Sequence, residues 1–444
     1  MHIAIIGSGI AGLSCAHALT RSGEDRVTVY EAAGYLGGHT NTIDLTLDGI
    51  THPVDTGFLV FNERTYPRLI KLLAELGVTT VASEMSFSVS LGGEIEWAGT
   101  SLATVFAQPA NLLRPRFLRM LADILRFNRA ATRIAAPGAA GATPSDGSAG
   151  LGAGGLAAAA GEARSLGEFL TQGGYSAAFR DWYLLPMAGA IWSCPTRTML
   201  DYPVATFARF CLNHGLLQVT DRPQWRTVQG GAREYVKAIA RTLGEVRLNT
   251  PVRSVRRIAG GVEVQTAAGS ERYDQVVLAC HSDQALALLA EPGEREGALL
   301  GAIRYQPNLA YLHTDTALLP RRRNTWAAWN YLSTGAATLG ERPVAVSYLI
   351  NRLQPVPFKT PVIVTLNPFK APAPVHVHAR IEYAHPVFDA AAIAAQQALP
   401  ELQGEGGVWF AGAWTGYGFH EDGLASGLAV ARALRERTVM QAAA

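Results

Sequence analysis

Gly7, Gly9 and Gly12 form a G-x-G-x-x-G run between the apolar stretch Ile3-Ala4-Ile5-Ile6 and a helical segment from Leu13 to Thr20. Arg26-Val27-Thr28-Val29-Tyr30 follows, so the opening of the chain reads as strand, glycine turn, helix, strand, a βαβ unit. That unit commits the chain to an α/β fold. Glycine lets the backbone come close to a pyrophosphate, and the helix that begins around Ala11 offers unpaired N–H groups and positive dipole to the phosphates. Glu31 closes the second strand, where a carboxylate accepts hydrogen bonds from the 2′-hydroxyl of an unphosphorylated ribose. The motif predicts a dinucleotide site and leaves FAD and NAD both open.

At roughly 150 residues per domain, the 444-residue length predicts two or three domains. With 48% hydrophobic and 17% charged residues the chain can bury a sizeable core. The net charge of +2 is too small for phosphate neutralisation to dominate binding, so nucleic acid is not expected as a partner. Cys15, Cys194, Cys211 and Cys280 contain no C-x-x-C pair, which excludes a disulfide framework or zinc knuckle and fits a reducing compartment. His376-x-His378 lacks accompanying acid or cysteine, and no metal site is expected. No basic leader region opens the chain and no 18-residue apolar run occurs, so the expected place is the cytoplasm.

Leu69, Ile70, Leu72, Leu73 and Leu76 recur at helical spacing within residues 65–76, and Gly77 serves as a C-cap. Residues 134–163 reduce almost entirely to Ala, Gly, Ser and Pro, a composition that predicts a disordered insertion. Short β-branched runs at 246–248, 252–258, 262–266 and 276–278 predict strands, with Ala259-Gly260-Gly261 turning a hairpin. A last strand, Val408 to Ala411, leads through a loop to a helix from about Leu424 to Arg437.

The segment from Glu31 to His39 resembles the second cofactor loop of the flavin amine oxidase, phytoene desaturase and protoporphyrinogen oxidase superfamily, with His39 where arginine usually follows the pair Gly37-Gly38. Pro53-Val54-Asp55-Thr56-Gly57-Phe58 is similar to that superfamily's strand beside the flavin ring. Gly230-Gly231, Pro251-Val252 and the strand from Asp274 to Ala279 resemble later cofactor-domain elements, and Phe410-Ala411-Gly412 through His420-Glu421-Asp422-Gly423 to Gly427 resembles its last FAD motif. The resemblance spans the whole chain and implies dissociable FAD held by Gly7, Gly9, Ala11, Gly12, Glu31, Gly38, His39, Thr56, Gly57, Phe58, Val252, Gly412, Glu421, Gly423 and Leu424. It implies a Rossmann-like FAD-binding domain of the GR2 type (1–75, 225–295 and 396–444) with an interleaved α+β substrate domain (76–224 and 296–395). Trp329 to Leu332, Asn351 to Gln354 and Gly418 to Asp422 look like a bacterial branch of NAD/FAD-binding oxidoreductases encoded near lipid methyltransferases. That association implies lipid acyl chains and a lipid methyltransferase partner.

Flavin amine oxidases place a lysine near the flavin on a strand that would match Asn308 to Thr314, where this chain has none; Lys359 is the fallback. The expected function is therefore FAD-dependent dehydrogenation or desaturation of a hydrophobic small molecule or lipid acyl chain. An amine oxidase, or an FAD-bearing scaffold for a lipid-modifying partner, is the alternative. Trp182, Tyr183, Trp192, Trp329 and Tyr331 are either pocket lining or core aromatics, and Trp192 and Tyr331 are carried forward as catalytic candidates by position. His420 has two readings, a proton donor or acceptor beside the ring, or a histidine bonding a loop carbonyl. Arg114, Arg116, Arg119, Arg126, Arg129 and Arg133 interleave with leucines over 112–133 against Asp123 alone. Such a helix either lies on an anionic membrane, here the inner face, or presents a solvated basic face. Arg321-Arg322-Arg323 forms a second basic cluster.

Overall fold

The computed structural model of the chain describes residues 1–21, 23, 25–135, 164–193, 197–218, 222–334 and 344–442. Most of the predicted insertion, 136–163, lies outside the described residues, while Ile134 and Ala135 close a helix.

Five strands form one wholly parallel sheet: β1 (His2–Ile6), β2 (Arg26–Tyr30), β3 (Glu245–Arg247), β4 (Gln275–Leu278) and β5 (Val408–Phe410), in the order β3-β2-β1-β4-β5. Ile3, Ala4 and Ile5 are fully buried, as expected of a strand covered on both faces. The helix α1 (Ile10–Thr20) packs on this sheet together with the last helix, α5 (His420–Ala442). The two helices approach so closely that a Cβ at Gly427 would strike the carbonyl oxygen of Ala11 and the hydroxyl of Ser14. Both ends of the chain thus meet at one helix pair.

A seven-stranded sheet forms the second layer, in the order Val377–Val387, Arg304–His313, Ile363–Leu366, Ala345–Leu349, Trp329–Ser333, Phe87–Leu91, Ile95–Ala98. Its neighbours run antiparallel except for Trp329–Ser333 beside Phe87–Leu91. Against it lie α3 (Pro115–Ala135), α4 (Val204–Asn213) and the short helix Leu185–Trp192, whose rings enter the largest core cluster. The helix α2 (Pro67–Glu75) has Pro67 at its first turn, and Gly77 follows at φ +67° with its N–H on the carbonyl of Ala74.

Three boundaries differ from expectation. The strand expected from Val252 begins at Ser254, leaving Val252 in extended backbone, and a third strand, Gly269–Tyr273, joins the hairpin. That strand is an exposed, polar edge and carries no hydrophobic alternation to betray it. The last helix starts at His420 because the Asp422 carboxylate accepts the N–H of Phe419 and caps it, and Gly423 fits where a Cβ would lie 2.8 Å from Ile10. The basic segment, expected to be helical over 112–133, is helical over Pro115–Ala135, because Pro115 sets the start of α3 after a 3₁₀ turn, Pro109–Leu113.

Candidate cofactor and substrate site

Gly7 turns the chain out of β1 at φ +104°, and a Cβ at Gly12 would collide with the Gly7 carbonyl. Both glycines are demanded by packing of the turn itself. Gly9 is different: a Cβ there would meet nothing within 4 Å, so its backbone borders open space at the N-terminus of α1, where no side chain caps the helix. Beside it, Glu31 accepts from the N–H and hydroxyl of Ser8 with one oxygen and from the N–H of Ala33 with the other. A carboxylate has about four acceptor positions, so capacity remains for a ribose hydroxyl. Gly38, at φ +57°, brings the second loop against Gly9.

Further along the groove, the His39 carbonyl accepts from Phe58 N–H at 2.9 Å and fills the space where Gly57 would carry a Cβ. Thr56 Oγ1 donates to the Asn41 carbonyl and pairs with the Tyr383 hydroxyl. Behind this strand Asp55, 1% exposed, accepts the Ala232 N–H with both oxygens and binds Thr42 and Gln354, fixing the Gly230-Gly231 turn to the groove. Burial pushes its carboxyl up to about 6 despite those bonds.

Three imidazoles converge on the His39 side. The ring of His39 stacks on Tyr383 (centroids 4.9 Å apart) and lies 5.4 Å from His385 and 6.2 Å from His281, which itself stacks on Tyr305. Nδ1 of His385 meets the side-chain amide of Asn308, whose oxygen accepts from Asn367. Burial, then the neighbouring imidazoles, hold His39 well below the ordinary histidine range, and burial brings His385 down to about 4. All three are neutral at pH 7. Nε2 of His39 is buried with no hydrogen-bond partner in the protein, a polar atom left for a ligand.

On the other side, a cluster of mutually packed rings adjoins the first turn of α5. Phe210 contacts Trp192 (4.5 Å), His214 (4.0 Å) and Phe419 (5.1 Å), and Tyr417 lies 6.0 Å away. Burial lowers His214 to about 4, with Nδ1 at the Phe210 carbonyl, so the cluster carries no charge from it. Trp192 Nε1 and the Tyr417 hydroxyl are buried without hydrogen-bond partners.

A family model described as flavin containing amine oxidoreductase matches residues 10–334. The chain belongs to this family. As a flavin containing amine oxidoreductase it shares 28% identity over 300 residues with a Mycobacterium tuberculosis protein named as a flavin-containing monoamine oxidase, AofH. That match covers 65% of this chain and 59% of the relative, so the chain spans less than two thirds of the length of that protein. Among solved structures, a CLA-producing fatty acid isomerase from P. acnes is similar at TM-score 0.65 and 17% identity, over 97% of this chain and 98% of that one. Cyclohexylamine oxidase from Brevibacterium oxydans is similar at TM-score 0.65 and 17% identity, over 98% and 99%. At such identity these two structures establish the shared fold.

FAD is the cofactor of this family, and the residues present suit it: an open backbone cradle at Gly9, ribose capacity on Glu31 and an orphaned ring nitrogen on His39. Gly412 donates to Ser426, and Leu424 is fully buried with its carbonyl accepting from Ser14, so both lie where α1 and α5 meet. Glu421 requires a correction, since its carboxylate accepts the N–H groups of Arg68 (2.9 Å) and Leu69 (3.0 Å) and so caps α2; its side chain supports the groove from behind.

His420, read either as a proton donor or acceptor beside the ring or as a histidine bonding a loop carbonyl, has a side-chain hydroxyl as its partner instead. Its Nε2 pairs with the Tyr235 hydroxyl at 2.7 Å, its face lies on Phe58, and burial lowers it to about 3, so it is a neutral positioning residue. Tyr331 is buried in the seven-stranded sheet opposite Val346 and is not among the rings stacked on Trp192. Trp182 lies beneath the guanidinium of Arg116 and is not among the rings that contact Trp192 or Phe210. Lys359 is exposed, as are Lys71, Lys237 and Lys370, so none of the four lysines reaches the groove. Sequence reasoning missed His281, His385, Asn308, Phe210 and His214; the alternation Tyr383-x-His385, which puts both on one strand face, was the available signal.

Proposed function

We propose that this flavin-containing oxidoreductase dehydrogenates or desaturates a hydrophobic substrate such as a lipid acyl chain. The apolar ring cluster of Trp192, Phe210, Phe419 and neutral His214 at the start of α5 carries the reading. Bound FAD supplies the two-electron acceptor. Around it, the rings hold an apolar chain by dispersion and keep water out, which fixes the reacting carbons without a charged anchor. His39, His281 and His385 are uncharged and close together, so a proton released in the groove can be taken up and passed between weak bases. The ring cluster contains no lysine, the residue an amine oxidase of this superfamily would use.

An amine substrate is the second reading, favoured by the name of the Mycobacterium tuberculosis relative. Anaerobic visible spectroscopy of the holoprotein separates the two. Bleaching of the flavin band by bacterial lipid supports the acyl-chain reading. Bleaching by simple amines and not by lipid overturns it, and bleaching by NAD(P)H alone recasts the protein as a reductase.

A further inference from the structure

Nine large apolar side chains are exposed among the described residues, and five of them fall between positions 102 and 125. Leu113 is 87% exposed and Leu102 78%, followed by Leu112, Leu125 and Leu118. Leu112 and Leu113 end the 3₁₀ turn that feeds α3, and Leu118 and Leu125 share one face of that helix, two turns apart. The opposite face of α3 buries Phe117, Met120, Phe127 and Ala131 in the core, so the leucines are not surplus core residues turned out by a register error. The amphipathic stripe is satisfied without them.

The charge around these leucines is one-sided. Over residues 92–135 Glu94 is the sole exposed carboxylate, whereas Glu96 and Asp123 are buried under the arginines they hold. Asp123 pairs with Arg119 and Arg126, and Glu96 lies 3.7 Å from Arg322. The Arg321–Arg323 cluster belongs to the same rim, because Arg322 Nε donates to the Ala107 carbonyl while Arg321 lies against Gly93 and Arg114 donates to the Glu94 carbonyl next to it. Arg129 and Arg133 extend the basic edge along α3.

We infer that this rim docks the protein on the surface of an anionic lipid bilayer, with the leucines entering the acyl boundary and the arginines meeting the phosphates. Aliphatic side chains this exposed, bordered by guanidinium groups and almost free of acids, complement such a surface. A protein interface would draw on aromatic and methionine anchors, whereas the five exposed side chains between positions 102 and 125 are all leucine. No helix among the described residues is long and apolar enough to cross a membrane, so contact is from one side. The rim also connects inward: Phe127 on α3 contacts Phe207 on α4, which contacts Trp192 of the ring cluster. The inference rests on the surface and on no assignment of substrate.

The test is flotation of the purified holoprotein with phosphatidylcholine vesicles, with and without phosphatidylglycerol. The expected result is binding at least about ten-fold stronger with phosphatidylglycerol, and weakening as salt rises. The double variant Leu112→Ser/Leu113→Ser should lose binding about ten-fold or more, and Arg129→Ser and Arg133→Ser about five-fold each. All four side chains are exposed, so flavin absorbance and melting temperature should match the parent. Equal binding by parent and variants, or a parent that stays unbound, overturns the inference. So does light scattering that shows a dimer which Leu112→Ser/Leu113→Ser converts to monomer, since a second copy then covers the leucines. No outcome depends on turnover, so failure here leaves the proposed reaction standing or falling by its own experiment.

Discussion

The imidazole of His420 lies flat on the ring of Phe58, centroids 3.8 Å apart and planes inclined by 9°. One ring comes from the first turn of the last helix, the other from the loop just after the strand Ile50–Asp55, so the stack ties the last helix to that loop. A charged imidazole over a ring would gain cation–π attraction, but removal from water costs more here, and the group stays neutral.

The unfolded chain takes up a proton on this histidine below its ordinary value near 6.5, while the folded one does so only near 3. Stability from this group is therefore complete above pH 6.5 and is lost as pH falls toward 3, by about 2 kcal/mol at pH 5. His420→Phe keeps the stack and removes the titration. Urea unfolding at pH 7 and pH 5 should show the variant losing about 2 kcal/mol less than the parent between the two; parallel losses would refute the assignment.

Gly9 and Gly12 should separate cleanly. Gly12→Ala drives a Cβ into the Gly7 carbonyl and should cost at least about 3 kcal/mol of stability or prevent folding. Gly9→Ala meets open space at φ −63°, so the apoprotein should melt where the parent does while FAD binding weakens by about ten-fold. Fluorescence titration with FAD and thermal melts of the apoproteins read the two effects apart.

Glu421→Ala strips two N–H groups of α2 of their acceptor, at about 1–3 kcal/mol for each buried donor. Glu421→Gln restores one of the acceptors and should recover part of the loss. Chemical denaturation measures both, and an alanine variant as stable as the parent would rule out the capping role.

Lys359→Ala should leave turnover on any productive substrate within about two-fold of the parent, because the side chain is exposed away from the groove. A large loss of rate with amines would instead revive the lysine-dependent reading.

How much of this was legible in the chain depends on how local the signal is. The pyrophosphate end lies within a few residues of Gly7, Gly9 and Gly12, and Glu31 is one helix and one strand later, so the βαβ rhythm exposes it. His39, His281 and His385 come from three distant segments and meet only through the packing of the two sheets. No periodicity in the sequence could bring them together. Glu421 misled for a related reason: its neighbours in sequence suggest a cofactor contact, whereas its partners in space, Arg68 and Leu69, belong to another helix. Val252 lay too close to Pro251 to begin a ladder, and the strand starts two residues later.

Strand β5 lies at the edge of the parallel sheet and pairs only with β4, whose Val276, Val277 and Leu278 are fully buried. During synthesis, β1, β2, β3 and β4 all emerge before β5 does. Until residues 408–410 leave the ribosome, β4 is an open apolar edge of the kind that recruits foreign strands, and α1 lacks the helix that covers it. The nascent chain therefore cannot shelter its own sheet or close around FAD until residues 408–442 have been made, so the stretch of synthesis between β4 and β5 is an aggregation-prone interval.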